Sequence, residues 1–213
     1  MRLLVAMLAL TLPAVTLAAP PAPDMTVFGQ ALNKPLSLPE CEKATHSWQG
    51  PNGKPIYNVS VDMDTVTPCW QTYTPYAGYP EPLNPNGEVT LLFSRATRPA
   101  LMATDKAILR LHEGRVIAVE LDPGGVDRQE AVAAALIEKY GKPHTLRKGK
   151  VQNRMGASFA AAQAEWKFSG LHVEYDPVSG GNLDEGSLTI KTEAAYRDDA
   201  QQAEDKTVAR KKF

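Results

Sequence analysis

One stretch of this chain spells a helix, and the stretches on both sides of it spell strands joined by hairpins. Val132, Ala133, Leu136, Ile137 and Tyr140 recur at spacings of three and four, which aligns them along one side of a helix from about residue 128 to residue 140. Asp127 stands where an N-cap carboxylate belongs, Glu130 follows in the capping-box position, and Gly141 with Pro143 stops the helix. Elsewhere the period is two. Tyr57, Val59, Val61 and Met63 alternate with polar residues, as do Val89, Leu91 and Phe93. Residues 108–111 and 116–121 are apolar runs joined by His112-Glu113-Gly114-Arg115, a hairpin pattern. A second hairpin turns at Ser169-Gly170, with Trp166 and Phe168 on one arm and Leu171, Val173 and Tyr175 on the other. Leu188 and Ile190 add one more strand.

Strands, one helix, then more strands, without strand–helix–strand alternation, predict the α+β class: an antiparallel sheet of hairpins with the 128–140 helix packed on one face. The expected division is a single domain over residues 19–192, with lobes at 24–87 and 88–192 as the alternative. Residues 193–213 are charged and lack an apolar stripe, which predicts a solvated helix or a disordered tail.

The first residues carry an address. Arg2 precedes an apolar run over residues 3–17, and small residues follow, the order of a cleavable secretory signal over residues 1–18. An apolar stretch of about 15 residues is short for a bilayer span, and Pro20, Pro21 and Pro23 end it. The reading is therefore a periplasmic or secreted protein whose mature chain has no transmembrane segment. In an oxidising compartment the two cysteines, Cys41 and Cys69, are expected to form a disulfide. The whole chain has 23 Lys and Arg against 24 Asp and Glu, and loss of Arg2 with the signal leaves 22 against 24. That near-balance argues against nucleic acid as a partner, which asks for a basic surface.

Val59-Ser60-Val61-Asp62-Met63-Asp64-Thr65-Val66 resembles the first signature of haloacid-dehalogenase-like phosphatases. The resemblance implies Asp62 as nucleophile, Asp64 as general acid/base, a bound Mg²⁺ and a doubly wound parallel sheet. It covers eight residues, and the later Lys and acidic pair of that family have no clear counterpart. An exported phosphatase is accordingly the alternative reading. No other hydrolase motif, metal cage or cofactor loop is present in the sequence, so no cofactor is expected.

Two segments are candidate binding surfaces. Trp70, Tyr73, Tyr76 and Tyr79 stand among Pro75, Pro80, Pro82 and Pro85, where stiff backbone and large amphipathic rings suit an interface. Their plainer role is to fold back over the sheet. Arg147, Lys148, Lys150 and Arg154 form a local basic cluster read as a loop, whose plainer role is to face water. Together these features predict a soluble, exported, non-enzymatic binding protein that recognises a protein or a cell-envelope polymer.

Overall fold

A computed structural model describes residues 25–42, 44–49, 53, 55–60, 62, 64, 66–72 and 82–210. The expected signal peptide and Tyr73, Tyr76 and Tyr79 lie outside the described residues. Among the described residues antiparallel strands dominate, with two helices and one disulfide. Two short ribbons come first: β1 (Thr26–Val27) with β2 (Gln30–Ala31), and β3 (Ala44–Gln49) with β4 (Pro55–Ser60). Then come β5 (Cys69–Thr72), β6 (Glu88–Leu92), β7 (Lys106–His112), β8 (Arg115–Leu121) and α1 (Gln129–Tyr140). The rest is β9 (Thr145–Gln152), β10 (Ser158–Phe168), β11 (Leu171–Asp176), β12 (Ser187–Thr192) and α2 (Glu193–Arg210).

The main sheet has eight strands in the order β5-β6-β7-β8-β12-β11-β10-β9, every pair antiparallel. Each half is a meander of four successive strands followed by a helix. The two meanders meet at their last strands, β8 and β12, through pairs from Leu121↔Leu188 to Ala118↔Lys191. This duplication of topology has no counterpart in a sequence repeat.

One face of the sheet is apolar. Val89, Leu91, Leu109, Val119, Trp166, Val173 and Ile190 alternate onto it and are almost fully buried. Val132, Leu136 and Tyr140 of α1 enter the same cluster, whereas Ala133 is only half-buried and Ile137, expected on the same stripe, is exposed because it lies at the helix flank. The Trp166 indole N–H donates to the Gly141 carbonyl at 2.8 Å. The lead-in contributes Val27 and Leu32, with Phe28 edge-on to Phe93 at 5.4 Å. Gln30 is buried there, its amide donating to the Ala31 and Pro35 carbonyls and accepting from Ser37.

Cys41 and Cys69 are bonded, with Cα atoms 4.9 Å apart. Around the bond, the Trp70 backbone N–H donates to Pro39 and the Cys41 N–H to Trp70, so the lead-in lies parallel against the start of β5.

The β7–β8 turn is Glu113-Gly114, both at positive φ (50° and 72°), the twist that suits a two-residue hairpin. The start of α1 departs from expectation. Its first flanking residue is Arg128, at φ −101° and ψ −4°, with no side-chain cap, and the Arg128 N–H already bonds the Gly125 carbonyl. The chain thus enters α1 out of a turn, which denies Asp127 the extended geometry of an N-cap. Gly125 itself is required: a Cβ there would lie 1.8 Å from the Leu183 carbonyl oxygen.

Candidate functional site

The opposite face of the sheet is polar and ordered by charge. In register across β10, β11, β12, β8 and β7 stand Lys167, His172, Lys191, Ala118 and Arg110. Two residues along, the next row is Glu165, Glu174, Thr189, Glu120 and Ile108. A mostly basic row thus lies beside a mostly acidic one.

Helix α2 crosses the basic row. Glu193, Tyr196 and Asp199, three apart and so nearly aligned on the helix, point down to it. Glu193 is hydrogen-bonded to His172 Nε2, and Tyr196 stacks on the His172 ring at 3.8 Å. Asp199 accepts from both terminal nitrogens of Arg110 and from Lys191 Nζ at 3.2 Å. Lys167 and Lys191 each lie within 5.5 Å of the Tyr196 ring centre, at 5.4 and 5.2 Å, a cation–π arrangement. Hydrogen bonding to His172 holds the Glu193 carboxyl below its ordinary value. Partial burial pushes the Asp199 carboxyl up, but the bonds from Arg110 and Lys191 together outweigh it and hold that carboxyl low as well. A helix without an apolar stripe is thereby docked by charge and one aromatic ring.

Past α2 the face opens into a groove of about 550 Å³, floored by β9 to β12 and bounded by the loop after β11. Its carboxylates are engaged. Glu165 pairs with Lys167 at 2.9 Å and Glu174 with Lys191 at 2.7 Å, while Asp176 accepts from Gln163 at 2.6 Å and from the Val178 N–H at 2.9 Å. The bond to Glu165 raises the Lys167 ammonium, assisted by Tyr196.

The basic cluster is not a loop. Arg147, Lys148 and Lys150 lie on β9, the edge strand, and Arg154 in the turn beyond it. Because β11 pairs only with residues 164–168 of β10, residues 147–152 and 158–163 run on as a two-stranded ribbon past the rest of the sheet. Both faces of the ribbon meet solvent, so the strand carries no alternating apolar signal, and its lysines blunt an otherwise open edge. The pleat splits the cluster: Arg147 faces the groove with Gln163, while Lys148 and Lys150 face the other way, opposite Ala162 and Ala160.

Trp70 is half-buried against the apolar cluster, its indole N–H donating to the Leu38 carbonyl at 2.9 Å. Asp62 and Asp64 follow the antiparallel ribbon β3–β4, and the Asp62 carboxylate accepts from the Asp64 backbone N–H at 3.0 Å. The pair of acids at the end of a central parallel strand that the phosphatase resemblance implies is not formed by the described residues. Among them no group of three or more His, Cys, Asp or Glu is placed to hold a metal ion, and no helix is long and apolar enough to cross a membrane. The polar face escaped sequence reading because its signal is distributed: one residue from each of five strands, aligned only once the register is known. Comparison of the chain with protein families, curated proteins and solved structures finds no match.

Proposed function

We propose that this chain is an exported, soluble, non-enzymatic binding protein that recognises a protein or cell-envelope polymer through the β9–β10 ribbon. The supporting observation is charge segregation on a projecting element. From Lys142 to Ala164 inclusive there are five Lys and Arg and no Asp or Glu, on a chain of net charge −1. The side chains of Arg147, Lys148, Lys150 and Arg154 make no hydrogen bond or ion pair with other described residues, so their charge faces outward. At the tip Met155 is 90 % exposed and Phe159 38 %, which adds apolar contact to the cationic one. Such a ribbon suits an anionic partner approached along its length, by steering and then by contact.

The test is retention of the mature protein on envelope polysaccharide and on envelope protein fractions. The expected result is salt-sensitive retention on one of them, reduced about tenfold in Lys148→Glu/Lys150→Glu while the melting temperature holds. Equal retention of the variant would overturn the reading.

A further inference from the structure

The groove beside the ribbon has its own chemistry. Among the described residues only Arg147 and Lys167 bring positive charge to its lining, and Lys167 is already paired with Glu165. Arg147 is the groove cation with no partner among the described residues. Around it stand hydroxyls and amides: Thr145, Gln163, Ser187, Thr189 and the Tyr196 phenol. Glu165, Glu174 and Asp176 are held by partners but keep lone pairs free to accept further hydrogen bonds.

These features select a ligand. The lining offers little aliphatic surface, so affinity has to come from hydrogen bonds, which a polyhydroxylated molecule supplies. One unpaired guanidinium matches one planar carboxylate in bidentate fashion. A phosphate dianion would bring a second negative charge close to three carboxylates and gain nothing for it. The volume lies within the range of small-molecule sites and holds about one or two sugar rings.

We propose that the groove binds a carboxylated saccharide, its carboxylate on Arg147 and its hydroxyls on the polar floor around Thr145, Gln163 and Thr189. This goes beyond the ribbon reading and shares only Arg147 and Gln163, at the base of the ribbon, with it; Lys148 and Lys150 lie on the opposite face.

Titration of the full mature protein with glucuronate, followed by backbone amide resonances, tests the assignment. Glucose supplies the hydroxyls alone, acetate the carboxylate alone, and inorganic phosphate the competing anion. Saturable glucuronate shifts are expected at Arg147, Gln163 and Thr189, with each of the other three probes at least about tenfold weaker. Arg147→Gln, at an exposed position, should weaken glucuronate about tenfold or more and leave the melting temperature unchanged. Thr189→Val should weaken both glucuronate and glucose. Lys148→Gln/Lys150→Gln should leave glucuronate binding intact. Shifts centred on Lys148 and Lys150, an equal response to acetate or phosphate, no effect of Arg147→Gln, or no saturable binding would each overturn the proposal. Polymer retention and glucuronate binding are separate readouts, so loss of the first in the Lys148/Lys150 variants with the second preserved upholds both assignments. Absence of polymer retention in the wild type, with glucuronate still bound, overturns the ribbon reading alone.

Discussion

Arg110 on β7 grips Asp199 on α2 with both terminal nitrogens of its guanidinium, at 2.7 and 3.0 Å. The two residues are 89 positions apart, and the bond ties the last helix to the first meander. Lys191, 7 % exposed, shares the same carboxylate. Asp199→Asn removes the charge that balances two cations and should cost about 1–2 kcal/mol. Faster hydrogen exchange confined to the first turns of α2 is the expected signature. Unchanged exchange there would show that the Glu193 and Tyr196 contacts with His172 suffice to hold the helix.

Acid should loosen the same helix. The Glu193 and Asp199 carboxyls are both held below their ordinary values in the folded state, so folding favours their ionised forms. The stabilisation is complete above the ordinary carboxylate range. It is lost as the pH falls through the lowered values, which places the loosening below about pH 4. Amide exchange of residues 193–199 between pH 6 and pH 3 reads it directly. An α2 that loosened on the alkaline side instead would contradict this.

Leu136 is completely buried in the apolar cluster. Leu136→Ala should destabilise by about 2–5 kcal/mol, measured by urea unfolding. A cost below about 0.5 kcal/mol would mean that α1 does not carry its stripe into the core.

Much of this part of the fold was legible because the signal is local. The stripe through Leu136, the Glu113-Gly114 turn and the Ser169-Gly170 turn each sit within a few residues of sequence. Strand β9 was illegible for the converse reason: with water on both faces, Arg147 to Gln152 have no need to alternate. Helix α2 was half legible. Its charges read as solvated, yet three of its side chains meet Arg110, His172 and Lys191, partners that only the strand register brings together. Trp70 and the acids at 62 and 64 offered local patterns too, but a local pattern does not fix which way a ring or carboxylate faces.

The Tyr175 hydroxyl is buried and finds no hydrogen-bond partner among the described residues, and burial pushes its pKa up to about 12. Tyr175→Phe removes an unpaired polar atom and should leave stability unchanged or raise it by up to about 1 kcal/mol. The wild type should also lose stability between about pH 10 and 12, because the folded state holds this proton more tightly than the unfolded chain does. A loss of more than about 1 kcal/mol in the variant at neutral pH would reveal a bond that the hydroxyl makes.

Reducing the Cys41–Cys69 bond frees a loop whose ends are 28 positions apart. By the loop-closure argument the loss is about 3.5 kcal/mol. Comparing Cys41→Ser/Cys69→Ser with the oxidised wild type in urea measures it. A loss below about 1 kcal/mol would mean that the unfolded chain is already compact around this loop.

Every ladder in the large sheet except one joins strands that are consecutive in the chain. The exception is β8 with β12, whose partners are roughly 70 residues apart. Each meander can therefore close hairpin by hairpin at small entropic cost, whereas the seam must wait for both. That makes the β8–β12 register the slow, committing event of folding. Until it closes, two half-sheets each expose a bare strand, and it is then, more than in the finished fold, that a neighbouring chain can pair in the wrong place.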